Sequence, residues 1–216
     1  MMLPLRVPAD AERAAPAVAE QLGRHGLLGY PTETVYGLGC AADPRSLNRL
    51  AALKGRKAGK PFLLLVSSRL MAEAAGLVFT PAANALAEAF WPGPLTLVLR
   101  GGEGRLPDLL RGPEGGFAVR HTSHKAVERL IALLDRPLTS TSANVPGQAP
   151  APGAEQLVAL FRAAYDAGEL MVLDGGTLGN VPPSTIVDCT KEQPRLVREG
   201  ALPRTELRAK VGRSAP

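Results

Sequence analysis

Helical stretches alternate with short apolar runs along most of this 216-residue chain, and that alternation limits the available folds more than any other feature. ADAERAAPAVAEQLGRHG leads into LLGYP, and DPRSLNRLAALKG into PFLLLVSS. The rhythm predicts a sheet flanked by helices. Two helix starts are marked chemically. Asp43 before Pro44 and Thr80 before Pro81 each supply an N-cap acceptor, followed by a residue with no N–H to leave unpaired. PLTLVLR, GGFAVRH, the helix SHKAVERLIALLD, the strand PLTSTS and the helix GAEQLVALFRAAYDAG come next. LMVLDGG, STIVDCT and RLVRE then follow one another with no helix between them, so the sheet must be mixed or partly antiparallel.

The length suits one well-cored domain, and 45% hydrophobic with 21% charged residues is a globular composition. The Pro/Gly-rich pieces at 91–94, 101–116 and 145–153 are too short for domain linkers. Residues 1–203 are therefore expected to form a single domain. The stretch 204–216, RTELRAKVGRSAP, is cationic and poor in apolar residues, and is expected to be a loosely held basic tail.

A formal charge of +5 favours an anionic partner without distinguishing a nucleotide from nucleic acid or an acidic surface. Cys40 and Cys189 have no metal-binding spacing and imply buried, reduced thiols. The amino terminus lacks an apolar signal core and no run approaches the roughly 20 apolar residues of a membrane span, so a cytoplasmic protein is expected. GRKAGKP at 55–61 is not a P-loop: it has one residue too few between its glycines, and Pro61 stands where a magnesium-binding hydroxyl belongs. GLGCAA at 37–42 lacks the helix start and the later acidic residue of a dinucleotide fingerprint. His25, His121 and His124 have no nucleophile at a recognisable spacing and read as surface residues.

Three segments carry chemistry. YPTETVYG places hydroxyls and a carboxylate between Tyr30 and Tyr36 in a chain only 4% aromatic, which is more than a connecting turn needs. Lys54, Arg56, Lys57 and Lys60 crowd a helix end broken by Gly55 and Gly59. They suit a polyphosphate, although a solvated cluster complementing the helix dipole has the same composition. In PLTSTSANVPGQ, an extended backbone puts Ser140, Ser142 and Asn144 on one face, with an Asx turn as the other account of Asn144.

Together with FWPGPLTLVL, AVRH, PSTIVD and LVREG, and in this order, these segments closely resemble the YrdC/Sua5 family of threonylcarbamoyl-AMP synthases over nearly the whole chain. The resemblance implies a YrdC-like twisted mixed α/β sheet flanked by helices, with a basic concave face. It also implies a nucleotidyltransferase that joins L-threonine, bicarbonate and ATP into threonylcarbamoyl-AMP and pyrophosphate. Mg²⁺ would accompany the ATP. The product would pass to a downstream threonylcarbamoyl-transfer complex that modifies the adenosine beside the tRNA anticodon.

Carried onto this chain, the resemblance puts Lys54 and Arg56 in the catalytic role. With Lys60 they would contact the ATP phosphates, and Ser142, Asn144 and Arg198 would contact the nucleotide further. Thr32, Thr34, Arg120, Ser140 and Ser184 would hold threonine, and no protein metal site is implied. Two positions depart from the pattern: Leu65, where many relatives have His, and His121-Thr122, where many have Pro soon after the Arg. The resemblance is to the short, single-domain branch, so a single domain is expected. The alternatives are an uncharacterised paralogue of the same fold, or an RNA-binding module that receives tRNA or double-stranded RNA in the basic groove. The few aromatic stacking platforms weigh against RNA binding.

Overall fold

A computed structural model describes residues 1–55 and 61–212. In chain order they form β1 (Met2–Pro4), α1 (Pro8–Gly23), β2 (Leu27–Tyr30), β3 (Gly37–Gly39), α2 (Pro44–Lys54), β4 (Leu63–Val66), α3 (Arg69–Ala74), β5 (Leu77–Val78), α4 (Pro81–Phe90) and β6 (Leu95–Gly101). A short 3₁₀ turn, Asp108–Leu110, precedes β7 (Phe117–His121), α5 (Lys125–Leu134), β8 (Leu138–Ser142), α6 (Ala154–Leu160), α7 (Arg162–Asp166), β9 (Leu170–Asp174), β10 (Thr185–Asp188), β11 (Arg195–Arg198) and α8 (Arg204–Val211).

The strands lie in the order β1-β9-β2-β3-β8-β4-β7-β6-β10-β11, with β5 attached to β6. Parallel pairs (β1 and β2 on β9, β4 on β7, β10 on β6) alternate with antiparallel ones such as β3 on β8 and β6 on β7. This is the mixed sheet that the helix-free end of the sequence requires. β9 and β10 are consecutive in sequence but lie towards opposite ends of the sheet, so residues 175–184 must cross from one half to the other.

Alternation along each strand divides the side chains between two faces. On one face Leu38, Leu64, Val66, Leu95, Leu97, Leu99 and Val119 enter the larger core, which α2, α4, α6, α7 and α8 cover with Leu50, Leu86, Leu157, Ala164 and Leu207. On the other face Leu28, Tyr30, Leu65 and Leu138 form a smaller core with Val18 and Leu22 of α1 and Val127, Leu130 and Ile131 of α5. α1 and α5 pack on each other and cover only part of this second face. The remainder, towards β6, β7 and β10, has no helix of the described residues over it and carries Thr96 and Arg120 among smaller apolar side chains such as Val98 and Ala118.

The local signals act as read. Asp43 Oδ1 accepts from Ser46 N at 2.9 Å and Thr80 Oγ1 from Ala83 N at 3.2 Å, capping α2 and α4 with Pro at the first helical positions. Gly55 ends α2 in the left-handed conformation, φ 59°, which favours glycine. Gly39 serves close approach instead: a Cβ there would lie 2.0 Å from the Thr139 carbonyl oxygen.

Two expectations need correction. The run GAEQLVALFRAAYDAG is two helices, because Phe161, φ −122°, breaks the turn where its ring packs into the larger core. Residues 204–211 are helical rather than loosely held: α8 packs against α4 and buries Leu207 completely in the larger core.

Candidate active site

The helix-free part of the second face is the floor of a cavity of about 1260 Å³. β6 contributes Thr96 and Val98, β7 Ala118 and Arg120, and β8 Ser140 and Ser142. The YPTETVYG loop, the 144–152 loop and the crossing segment 178–184 raise its walls.

Within the YPTETVYG loop, Thr32 Oγ1 accepts from the N–H groups of Thr34 and Val35 at 3.2 and 3.1 Å and donates to Val35 O at 2.7 Å. The two threonine hydroxyls are 3.0 Å apart, and both residues are almost fully buried. The tyrosines fix the ends of the loop. Tyr30 donates to Thr139 O at 2.7 Å inside the smaller core, where burial raises its pKa. Tyr36 donates to Gly176 O and accepts from Gly175 N, both at 2.8 Å, clipping the loop to the start of the crossing segment. The tyrosines thus hold the loop rather than contact a ligand.

Arg120 is 3% exposed, and its Nη1 donates to Thr34 Oγ1 at 3.3 Å. Beside it stands Glu33, whose Oε1 is 3.6 Å from Arg120 Nε, and neither of these two buried atoms has a hydrogen-bond partner. The other oxygen of Glu33 accepts from Thr122 Oγ1 at 2.5 Å. The β6–β7 register pairs Leu97 with Val119, which sets Thr96 beside Arg120. Thr96 Oγ1 is 2.8 Å from Ser184 Oγ, and the Ser184 carbonyl accepts from Arg198 Nη2 at 2.7 Å. The Arg198 pKa is lowered, first by burial and then by the charge of Arg120. Two guanidinium groups therefore share one end of the cavity.

The other end is built on β8 and the turn after it. Lys54 is 6% exposed and donates to the carbonyls of Ser142 and Asn144 and to Asn144 Oδ1. Ser142 Oγ donates to Asn144 Oδ1 at 2.6 Å, and Asn144 Nδ2 donates to Gln148 O at 2.6 Å. The turn account of Asn144 is what its bonds describe, and Ser142 and Asn144 line the cavity as well. Lys54 acts on this segment from beneath.

Thr32, Thr34, Arg120, Ser140, Ser142, Asn144, Ser184 and Arg198 all line one cavity, while Arg56 and Lys60 lie outside the described residues. Leu65 pairs in register with Arg120 but is fully buried in the smaller core, and Leu63 takes the place at the cavity wall. The sequence reading gave no site role to Thr96, Glu33 or Thr122. The signals for the last two were the acid inside PTETV and the Thr in place of a common Pro. Asp188, the last residue of PSTIVD, and Arg195 are paired at 3.2 Å and also line the cavity, although neither was assigned a site role. His124 is not a plain surface residue: it caps α5 by accepting from Val127 N at 3.4 Å, and burial lowers its pKa. Cys40 and Cys189 are buried free thiols whose pKa values burial pushes up to about 12, which leaves them no nucleophilic role at neutral pH. Among the described residues, no helix is long and apolar enough to cross a membrane.

Residues 20–200 match the family model for Sua5, YciO and YrdC proteins, whose description reads telomere recombination. The chain belongs to this family. It is 42% identical over 181 residues to the threonylcarbamoyl-AMP synthase of Chromohalobacter salexigens, covering 82% of this chain and 93% of that one. With the threonylcarbamoyl-AMP synthase of Pyrococcus abyssi the identity is 35% over 187 residues, 86% of this chain but only 54% of the relative, so the chain spans about half the length of that protein. Its fold follows the crystal structure of P. abyssi Sua5 complexed with L-threonine, with a TM-score of 0.85, 32% identity and coverage of 99% of this chain and 61% of that one.

Proposed function

We propose that this protein is a nucleotidyltransferase that makes threonylcarbamoyl-AMP from L-threonine, bicarbonate and ATP, for modification of the adenosine beside the tRNA anticodon. The observation that carries the reading is Arg120, almost fully buried yet lining the cavity beside Arg198 and a row of hydroxyls. A buried guanidinium with hydroxyl neighbours suits the carboxylate of an amino acid. The names of the bacterial relatives and the L-threonine complex of the P. abyssi protein support the same substrate. A cavity above the roughly 300–1,000 Å³ usual for one small ligand has room for a nucleotide and an amino acid together.

In this reading Arg120, Thr32, Thr34, Ser140 and Ser184 hold threonine. Lys54, Ser142 and Asn144 set the nucleotide end, with Arg56 and Lys60 as phosphate contacts and Arg198 as a further nucleotide contact. The threonine amine attacks bicarbonate to give a carbamate with loss of water. A carbamate oxygen then attacks the α-phosphorus of ATP, and pyrophosphate leaves. Catalysis is alignment of two anions and offsetting of their charge, which needs no protein nucleophile. Among the described residues no group of three His, Cys, Asp or Glu side chains comes together, so Mg²⁺ would arrive on the triphosphate oxygens and supply charge neutralisation there. Released product would go to the downstream transfer complex.

The test is pyrophosphate release that requires threonine and bicarbonate together, with label from bicarbonate carbon appearing in the adenylate. Release that ignores either co-substrate, or an unlabelled adenylate, overturns the reading. Serine, one methyl smaller, should be poorer by about tenfold.

A further inference from the structure

The cavity floor holds a pair of buried hydroxyls that the sheet itself does not need. Thr96 on β6 and Ser184 just before β10 are 1% and 4% exposed, and their hydroxyl oxygens lie 2.8 Å apart. Both residues line the cavity, with Val98, Ala118 and Ile186 around them. Their bond is not required to join the strands, because the β6–β10 ladder already pairs Leu95–Val98 with Thr185–Asp188. Valine would suit a buried strand position at 96 better, since a hydroxyl must be stripped of water there and a methyl need not be.

The pair has a proton to spare. Each hydroxyl carries one proton and two lone pairs, and either oxygen can be the donor. One proton lies between the two oxygens, and the other has no acceptor among the described residues, so the pair offers a ligand in the cavity a donor together with unused lone pairs. A carboxylate or phosphate oxygen only accepts, whereas an aliphatic hydroxyl donates and accepts as the pair does. A methyl in the same place would leave the donor buried and unpaired. The position is also fixed. Ser184 O accepts from Arg198 Nη2 at 2.7 Å, and the next N–H, that of Thr185, donates to Pro94 O at 3.0 Å. The β6–β7 register sets Thr96 beside Arg120, and such cross-strand neighbours are about 5 Å apart at Cβ. An amino acid with its carboxylate on Arg120 carries its side-chain hydroxyl on the carbon next to the one bearing that carboxylate, which suits a hydroxyl reader standing beside the guanidinium.

We infer that Thr96 is a specificity-determining residue: with Ser184 it forms a hydroxyl pair that reads the side-chain hydroxyl of the amino-acid substrate, admitting threonine and rejecting valine, which has the same shape with a methyl in place of the hydroxyl. The inference rests on the amino-acid reading of the Arg120 end and deepens it, because Arg120 meets only the carboxylate that all amino acids share. Thr96 takes no part in the bond-making steps.

The test is calorimetry on the full chain, with L-threonine titrated directly and L-valine measured by competition. The parent should prefer threonine by about a hundredfold or more, since a site built around a hydroxyl is left with unpaired groups by an analogue that lacks one. Thr96→Val keeps the side chain's shape and should reduce that preference about tenfold or more, chiefly by weakening threonine, while Thr96→Ser should hold it within about threefold of the parent. Should Thr96→Val melt early, Ser184→Ala opens the same pair from the other side and should reduce the preference likewise. A threonine-to-valine ratio that stays at the parent value in the folded variant overturns the inference, whether neither amino acid weakens or both weaken equally, because a bond that only braces the floor or meets the shared carboxylate predicts that result. A parent that binds threonine no better than valine, or a Thr96→Ser chain that loses the preference, overturns it too. A parent that binds no amino acid overturns the amino-acid reading itself, so the two failures are distinguishable.

Discussion

The Arg120 end and the Asn144 end of the cavity hold their polar groups by different means. At the first, Thr96 and Arg120 project from adjacent strands, and the hydroxyls of Thr32, Thr34 and Ser184 bond to neighbours that are themselves buried. At the second, Ser142 and Asn144 stand where β8 runs out, and hydrogen bonds from Lys54 and within the turn give them their order. Strand placement is fixed by the whole sheet, whereas a turn held by a few side-chain bonds can open locally at much lower cost. A small ligand is thus met by a pre-set end, and a larger, more flexible one by an end that can adjust.

If the ends differ in this way, Arg120→Ala should have the largest effect. Threonine-dependent turnover should fall about a hundredfold or more, because a buried cation and its carboxylate contact are both lost, while ATP affinity measured alone stays near the parent value. An equal loss of ATP affinity would break the comparison. Lys54→Met should come next, lowering turnover by about tenfold or more and raising amide exchange across 143–151, with exchange in β6 and β7 unchanged. Protection of the 143–151 amides in that variant would show that the turn does not depend on Lys54. Asn144→Ala should weaken ATP severalfold, by about 1 kcal/mol for the hydrogen bonds removed, and leave threonine binding alone.

The smallest effect concerns pH. Burial tends to raise the pKa of Asp188, but hydrogen bonds from Thr190 and the Arg195 cation outweigh it, so its folded pKa is lowered. A lowered carboxylate pKa contributes stability above the unfolded value of about 3.9, lost as pH falls through the folded one. Acid melts should therefore show a slightly flatter pH dependence below about pH 4 in Asp188→Asn than in the parent. Identical acid limbs would remove Asp188 from the acid response.

Much of this architecture was legible in the sequence because its signals are local. Asp43-Pro44 and Thr80-Pro81 mark helix starts through one side chain and one missing N–H, and the helix-free run of terminal strands forces a mixed sheet. The motifs that carried the family resemblance also supplied the cavity residues. What escaped depends on long-range packing. The break at Phe161 is set by the core its ring enters, and α8 is anchored by the buried Leu207. Glu33, Thr96 and Thr122 act through partners far along the chain, Thr122 on Glu33 at 89 positions and Ser184 on Thr96 at 88, and the short patterns that contain them do not announce those pairings.

The two buried thiols turn this difference into something that can be timed. Cys40 follows β3, beside the strand that leads to Ser142, and Cys189 follows β10 with its N–H on the Val98 carbonyl, at the other side of the cavity floor. With thiol pKa values near 12 and no exposure, neither should react with an alkylating reagent until its surroundings part. Each cysteine is therefore a clock for its own side of the floor. Single-cysteine versions exposed to a fast reagent would give two labelling half-lives, and their ratio, with and without ATP or threonine, would measure which side breathes and which ligand stills it.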